Sequence, residues 1–503
     1  MKKTTFLLLF ILFLAKNGIA QPQLIWEKQF GGSRYEGGGS AIKTSDGNWV
    51  FAASASSSDG DVPGNQGELD LWVVKMDTTG AIIWSKTFGG SNFEYGGNIA
   101  ECPDGSLWVA GQTFSEDGIF SANKGKDDVC LLKISTAGDL IFAKTYGGTG
   151  SDPGADFVPT ADGGLVFVSA TWSASGSGDV VFNHGERDCW LVKVGTGGQI
   201  EWQKSIGGSQ HESICSIEKS KFGGFWVSVR SESGDGDFPF LTGADNTWVL
   251  RLAENGSVVW KQRIAESNNF VFPAIEEDAA GDLVMMMGFA SDWRTYLIKF
   301  DQNGNKILQK AITEPYPPDY FSGFELADDS GIFFFGNDTL LDGLLVRANA
   351  DGDFLWKKTF GTDASTGGYF WKVLPRADNS LVLFGGIVPD TLAFVDVNAD
   401  AHVWVLKLDG TVSTSDFTQA IDFKLFPNPI FENQPLQILL ENDFFGEVKF
   451  EVLSLDGRLF SLFEKEKTAR RQVFEIEKLP ACGSFFIRLL DGKQSLTQFV
   501  LKF

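Results

Sequence analysis

Basic residues are scarce in this chain of 503 residues. Lys and Arg number 42 against 65 Asp and Glu, which gives a formal net charge of −23. Nucleic acids and anionic lipid surfaces are bound through basic patches, so this balance argues against either as a partner. Solubility is the simple explanation of the acidity, and a specific cationic partner is the alternative.

Cysteine and histidine are also rare. The five cysteines are odd in number and form no CxxC, so we expect small buried hydrophobic residues rather than a disulfide framework. Cys130 and Cys189 are one register apart in equivalent strands and should point to opposite faces. His184, His211 and His402 show no metal-ligand spacing, and neither a G-x-S-x-G motif nor a Cys/His nucleophile pair occurs. The chain therefore shows no catalytic set.

Long apolar runs are missing beyond the N-terminus. Residues 1–3 are basic at two positions, residues 6–15 are apolar, and residues 18–20 form a small-residue cleavage site. This pattern predicts a secretory signal over residues 1–20, with the mature chain starting at Gln21, and is too short for a membrane span. We predict no transmembrane segment.

What the chain does contain is a repeat. Seven copies of an aromatic strand recur, and in the first copies a Gly-Gly turn follows it; the centres are Trp26, Trp84, Phe142, Trp202, Trp260, Leu308 and Trp356. The spacings between them are 58, 58, 60, 58, 48 and 48 residues. Self-similarity at such a period is typical of a solenoid or a propeller.

Each repeat contains four candidate strands. In repeat one they cover 24–30, 39–43, 48–54 and 71–76, separated by Asp-Gly and Thr-Gly turn signals. The Gly-rich strand suits the crowded innermost position, and the aromatic strand suits the outermost one. Repeat seven lacks its own outer strand, which residues 24–30 would supply. The sequence thus predicts an all-β, seven-bladed β-propeller over residues 21–410.

A basic residue recurs in the last strand before each aromatic strand, for example Lys75, with an acidic or polar residue such as Asp70 five positions earlier. We interpret them as a strand-end pair that packs blades, and a functional charged ring is the alternative.

The long loops that precede the strands with the recurring basic residue carry closely spaced aspartates. Asp59 with Asp61 and Asp235 with Asp237 are candidate calcium ligands, since calcium prefers oxygen donors. Asp-Gly is also common turn chemistry, and the EF-hand spacing is absent.

Acidic residues also follow the Gly-Gly turns, and paired carboxylates could act in a secreted hydrolase. The acids occur once per blade at a fixed position, which copying of the repeat unit explains better than catalysis does. These acids are Glu36, Glu94, Asp152 and Glu212.

Two resemblances concern the repeats. The segment 76–84 resembles the signature of quinoprotein (PQQ-like) propellers, in which an Asp and a Thr-Gly precede a Trp; this resemblance implies that Trp84 docks one blade on the next. A quinone-dependent oxidoreductase would also need a calcium site and a catalytic Asp, which cannot be assigned here. Residues 36–90 more closely resemble repeats of large exported propellers from Bacteroidota.

The C-terminal residues resemble another family. After a linker at 411–420, residues 421–503 are similar to type A C-terminal sorting domains of type IX secretion substrates, which implies a small Ig-like β-sandwich. The motif residues that carry the resemblance are Phe426, Pro427, Asn428, Pro429, Asp456, Gly457 and Gly483. It implies the type IX secretion machinery as a partner and a final location outside the cell or on the outer cell surface, reached through the periplasm.

Together these observations predict an exported, non-enzymatic binding or scaffold module. A carbohydrate or a surface protein is the expected ligand class. A hydrolase and a PQQ-like oxidoreductase are the alternatives.

Overall fold

The computed structural model divides the chain into two compact units, residues 21–412 and residues 1–20 with 413–503. The first unit is described over 22–154, 156–239, 246–266, 269–289, 294–312, 320–338, 342–361, 367–376, 380–388 and 401–409. In the second unit the description covers the strands between Phe423 and Lys502. The predicted signal and most of the sorting motif therefore lie outside the described residues.

The first unit consists of seven antiparallel four-stranded sheets, which we call blades 1 to 7. Strands β1 to β28 are Leu24–Phe30, Glu36–Lys43, Trp49–Ala55, Asp70–Met76, Ile82–Phe88, Glu94–Glu101, Leu107–Thr113, Asp128–Ile134, Leu140–Tyr146, Asp156–Pro159, Leu165–Thr171, Asp188–Val194, Ile200–Ile206, Glu212–Lys219, Phe225–Ser231, Asn246–Leu252, Val258–Glu266, Asn269–Glu277, Leu283–Phe289, Arg294–Phe300, Lys306–Ala311, Tyr320–Leu326, Ile332–Asn337, Gly343–Ala348, Phe354–Phe360, Gly367–Pro375, Leu381–Val388 and His402–Leu408.

Blades 1 to 6 each use four consecutive strands, starting with β2–β5. Blade 7 has the order β26, β27, β28 and β1, so the first strand of the unit supplies the outer strand of the last blade, as predicted. The innermost strands β2, β6, β10, β14, β18, β22 and β26 contact one another in a closed cycle. This closure confirms the seven-bladed propeller, a radial arrangement in which the remaining sheet edges are short and protected.

Blades are held together by aromatic side chains and tight turns. In blade 1 the outer-strand Trp84 donates its Nε1–H to the carbonyl of Thr136, in the last turn of blade 2, at 3.1 Å. Gly138 in that turn has φ +83°, and a Cβ there would lie 2.8 Å from the Trp84 ring. A Cβ on Gly80 would likewise lie 3.0 Å from the Trp26 ring, and one on Gly256 would lie 2.7 Å from the Trp202 ring. The recurring turn glycine is therefore required both by its backbone conformation and by the ring that covers it.

The prediction that residues such as Asp70 and Lys75 form a strand-end pair is wrong. Asp70 and Lys75 lie at opposite ends of one strand, because five residues of strand span about 16 Å. Lys75 instead pairs with Asp46, in the turn between β2 and β3, at 2.7 Å. Lys193 and Arg347 make the same contact with Asp162 and Asp329. The basic residues thus secure the end of the ring opposite the long loops.

The cysteine prediction holds for the side chains that are described. Cys102, Cys130 and Cys189 are free and buried. Cys130 packs with residues of blade 1, such as Leu71, whereas Cys189 packs with residues of blade 4, such as Val227. They therefore face opposite sides of their blades.

Helix is almost absent from the described residues, where a single 3₁₀ turn, Gly118–Phe120, occurs. No helix among those residues has the length and apolarity that a membrane span requires. The second unit contains a three-stranded and a four-stranded antiparallel sheet. Strands β29 to β35 of that unit are Phe423–Phe426, Leu436–Glu441, Gly446–Leu453, Leu459–Lys467, Arg471–Ile476, Gly483–Leu490 and Ser495–Lys502. The Ig-like sandwich stays a prediction.

Candidate functional site

The loop face is the end of the ring that carries the Gly-Gly turns and the long loops between the second and third strands of each blade. At the start of blade 1, four consecutive backbone N–H groups are each bound by a different side chain. Gly32 N–H donates to Glu36 Oε2 at 2.9 Å, and Arg34 N–H donates to Ser57 Oγ at 2.8 Å. The two remaining donors, Gly31 and Ser33, bind the long loop.

Those two donors bind the predicted calcium ligands. Ser33 N–H donates to Asp59 Oδ1 at 2.8 Å, and Gly31 N–H donates to Asp61 Oδ2 at 3.2 Å. In blade 4, Asp235 and Asp237 bind Ser209 and Gly207 in the same way. One oxygen of each aspartate is thereby committed to the backbone. Among the described residues no group of three or more His, Cys, Asp or Glu side chains is placed to hold a metal ion.

The acids after the Gly-Gly turns belong to the same network. All four are buried with no exposed surface: Glu36, Glu94, Asp152 and Glu212. Glu94, for example, accepts hydrogen bonds from Gly90 N–H at 3.0 Å and from Thr113 Oγ1–H at 2.7 Å. Burial raises the pKa of Glu94 and of Glu212. These carboxylates organise the turns, and none of them faces a ligand at the surface.

Above this uniform framework lie positions that differ from blade to blade. The residue before the buried acid accepts a backbone hydrogen bond from the residue after the second strand, in each of blades 1 to 4. The accepting residues are Tyr35, Phe93, Ser151 and His211, and the donating residues are, in the same order, Ser56, Phe114, Trp172 and Glu232. The same backbone geometry thus presents aromatic, polar or charged side chains according to the blade.

We call the solvent-accessible side chains at and beside these positions on blades 2 to 4 the rim; they include Tyr95, Gln112, Trp172, Arg187 and His211. In blade 2 the Tyr95 ring stacks on Phe93 with centroids 5.7 Å apart and meets Phe114 edge-on. Tyr95 is nevertheless 40% exposed. Beside it, Gln112 Nε2–H donates to Asp127 Oδ2 at 2.6 Å, which fixes both side chains.

The second half of the rim combines an aromatic ring with charged side chains. Trp172 is 40% exposed, and the Arg187 guanidinium lies 4.5 Å from its ring centroid. Arg187 also donates to Ser213 Oγ of blade 4. His211 Nε2 lies 2.8 Å from Glu186 Oε2. The rim therefore offers two aromatic faces, each with fixed polar groups at its side.

Inside the ring, the inner strands bring several charged groups together. Lys372 contacts Glu325 with Nζ and Oε2 2.6 Å apart, and Asp156 accepts hydrogen bonds from Ser216 and from Ile217 N–H. Burial, together with Asp156 and other carboxylates, raises the pKa of Glu218 to about 8. Burial and Glu325 raise the pKa of Glu276. The sequence did not reveal this cluster, because its members occupy different positions in different repeats.

The remaining candidate residues are those of the sorting motif and the other two histidines. Phe426 and Gly483 lie at strand ends of the second unit, and Pro427, Asn428, Pro429, Asp456 and Gly457 lie outside the described residues. His184 contacts Asp188, and His402 lies 3.6 Å from Glu36. The three histidines thus occupy three separate contacts.

No family model matches the chain. A curated relative, the regulatory protein FlaEY of Caulobacter vibrioides, is 22% identical over 366 residues, which cover 62% of this chain. The matched region spans only 37% of that relative's length.

Among solved structures, the polysaccharide lyase Uly1 aligns with a TM-score of 0.47 at 10% identity, covering 77% of this chain and 100% of that one. The BP39L lectin of Burkholderia pseudomallei gives 0.45 at 10% identity, covering 76% and 99%. The GH93 α-L-arabinofuranosidase of Fusarium graminearum gives 0.42 at 8% identity, covering 75% and 92%.

Proposed function

We propose that the chain is an exported, non-enzymatic binding module whose ligand docks on the rim. The observation that carries this proposal is the contrast between the two layers of the loop face. The buried layer repeats the same hydrogen bonds in blades 1 to 4, whereas the exposed layer changes side chains at equivalent positions. Exposed loop residues that differ on a rigid scaffold are typical of binding surfaces.

A carbohydrate is the ligand class that we propose first. Tyr95 and Trp172 each present a planar apolar face, which suits the C–H face of a sugar ring. Gln112 lies opposite Tyr95 in the sheet and suits the hydroxyl groups of a sugar, whereas Arg187 lies against Trp172 and suits a carboxylate of an acidic sugar. A surface protein is the alternative, because Tyr, Trp and Arg are also the residues that dominate protein interfaces.

The test is a glycan binding screen on the full mature chain, followed by titration of the best glycan. Trp172→Ala should weaken binding at least tenfold, or about 1.4 kcal/mol, without lowering the melting temperature. Phe222→Ala is the matched control, because Phe222 is 63% exposed in a turn at the opposite end of the blade. Binding to a protein partner alone, lost in Trp172→Ala, would support the surface-protein alternative; unchanged binding in that variant would exclude the rim.

The hydrolase alternative needs carboxylates at the surface. Glu36 and Glu94, its candidate acids, are buried and bonded to backbone donors. Hydrolysis of a screened glycan that is abolished by Glu94→Gln, in a variant with unchanged melting, would nevertheless support the enzyme. For the PQQ-like alternative, a quinone absorbance in the purified protein is the corresponding test.

We also propose export through a signal over residues 1–20 and recognition of residues 421–503 by the type IX secretion machinery. The support is the sequence resemblance of the C-terminal motif. Deletion of residues 421–503 should leave the protein in the periplasm. Arrival of the truncated chain at the cell surface in normal amounts would contradict the sorting proposal.

A further inference from the structure

Three blade interfaces contain a buried pair of carboxyl groups from neighbouring blades. The pairs are Asp70 with Glu94, Asp128 with Asp152, and Asp188 with Glu212, and all six side chains are fully buried. Both members of a pair approach the first glycine of the Gly-Gly turn. A Cβ on Gly89 would lie 2.1 Å from Asp70 Oδ1 and 2.6 Å from Glu94 Oε2. The absence of a side chain on this glycine lets the two carboxyl groups approach each other.

The two oxygens of each aspartate have different surroundings. Oδ2 of Asp70 accepts the N–H of Gln66 at 2.8 Å, and Oδ2 of Asp128 accepts the N–H of Lys124 at 2.9 Å. Oδ1 is buried and has no hydrogen-bond partner in Asp70, Asp128 or Asp188. A buried, unpaired carboxylate oxygen beside a second carboxylate is costly. A proton on the aspartate would remove one charge and supply a donor for the neighbouring carboxylate.

Other interfaces place a histidine or a neutral side chain beside the equivalent acid. At the third pair, His184 Nδ1 lies 2.6 Å from Asp188 Oδ2. At the closing interface His402 replaces the aspartate and lies 3.6 Å from Glu36. Blade 4 has Asn246, the neutral isostere of a protonated aspartate, at the equivalent strand position. Asp70 has no such basic neighbour among the described residues, and Lys124, beside Asp128, is already paired with Asp179 at 2.7 Å.

We propose that in mildly acidic solution Asp70 and Asp128 each hold a proton in the folded ring, directed towards Glu94 and Asp152, and that these two interfaces are weakened when the protons leave at higher pH. The inference goes beyond the proposed binding function and does not depend on it. It makes the propeller sensitive to pH at the layer directly below the rim. The same aspartates hold residues 66 and 124 at the ends of two long loops, so the rim loops are coupled to these protons.

The electrostatic surroundings agree with this proposal. Burial raises the pKa of both aspartates to about 6. Glu94 acts in the same direction on Asp70, and the Gln66 N–H opposes it. Asp152 and Asp179 raise the pKa of Asp128, while Lys124 lowers it. Because the ordinary value is 3.8, the folded state binds these protons more tightly than the unfolded state. The resulting stability is complete below that value and is lost as pH rises through about 6.

The test compares melting temperatures of the full chain between pH 5 and pH 8. A Glu218→Gln background removes a third group that titrates in this range. Asn keeps the shape of a protonated aspartate, so D70N/D128N should show a smaller fall in melting temperature with rising pH than its parent. It should also melt higher than its parent at pH 8. Asp139→Asn, at an exposed turn aspartate, is the matched control and should leave the pH dependence unchanged.

An equal pH dependence in D70N/D128N and in its parent would overturn the proposal. If the double variant does not fold, each single variant should remove about half of the effect. Infrared spectroscopy of the Glu218→Gln chain gives a further readout. It should show protonated carboxyl groups at pH 5 that are lost by pH 8 and that are missing when D70N/D128N is added, and an equal signal with and without D70N/D128N would also overturn the proposal.

Discussion

Replacing Trp72 by alanine would remove a fully buried side chain between blades. Trp72 packs edge-on against Phe51 at 5.2 Å, in a cluster that includes Phe384 of blade 7. Its Nε1–H donates to Ser85 Oγ at 2.8 Å, and Ser85 in turn donates to the carbonyl of Asp61 in the long loop. The variant therefore leaves a cavity and also breaks a link from the core to the loop face.

The expected cost follows from burial. A Trp→Ala change in a core costs about 3–5 kcal/mol, and the lost hydrogen bond adds about 1 kcal/mol. We therefore expect Trp72→Ala to lower the free energy of unfolding by about 4–6 kcal/mol. Trp84 is only half-buried and covers the turn of the next blade. Trp84→Ala should cost about half as much, roughly 2 kcal/mol.

Urea denaturation of the full chain, followed by circular dichroism, measures both costs. The midpoints are comparable if the slopes of the transitions agree. Trp72→Phe, which keeps most of the ring volume, should cost about 1–2 kcal/mol and separates the cavity from the hydrogen bond. Equal losses for Trp72→Ala and Trp84→Ala would refute the reasoning that the cost follows the buried surface.

Three further predictions concern turns, loops and the interior of the ring. Gly138→Ala should destabilise the chain by about 1–3 kcal/mol, and by more than Gly47→Ala, because both glycines have positive φ but only Gly138 lies against a ring, that of Trp84; equal losses of urea midpoint would contradict this. Asp59→Ala should lower the melting temperature equally in calcium and in EDTA, because Asp59 binds a backbone N–H; a loss confined to calcium would instead support the metal site. Glu218→Gln should raise the free energy of unfolding above pH 8 on the order of 2–4 kcal/mol. The pKa of Glu218 is raised from 4.5 to about 8, so the stability that its proton contributes is complete below pH 4.5 and is lost as the pH rises through about 8. An unchanged urea midpoint at pH 9 would refute this.

Much of the fold could be predicted from the repeat. Aromatic strands between Asp-Gly and Thr-Gly turns fix strand identity locally, and the count of outer strands shows that Leu24–Phe30 must complete blade 7. The opposite faces of Cys130 and Cys189 follow from the two-residue period of a strand. These features depend on short-range geometry, which is why the sequence alone predicted them.

The roles of the loop residues depended on the tertiary structure. Asp59 is 26 positions from the Ser33 N–H that it binds, and no local rule sets the path of the loop between them. Hence the candidate metal ligands, the candidate catalytic acids and the Gly-Gly turns are separate features in the sequence, although they form one hydrogen-bonded network in the fold. The pairing of Asp70 with Glu94 likewise arises from the contact between two blades. The sequence by itself determined the ring and its order of strands, because these follow from local periodicity. Only the tertiary structure decided which charges are buried, which are paired and which side chains reach the rim, because burial and pairing depend on contacts between distant parts of the chain.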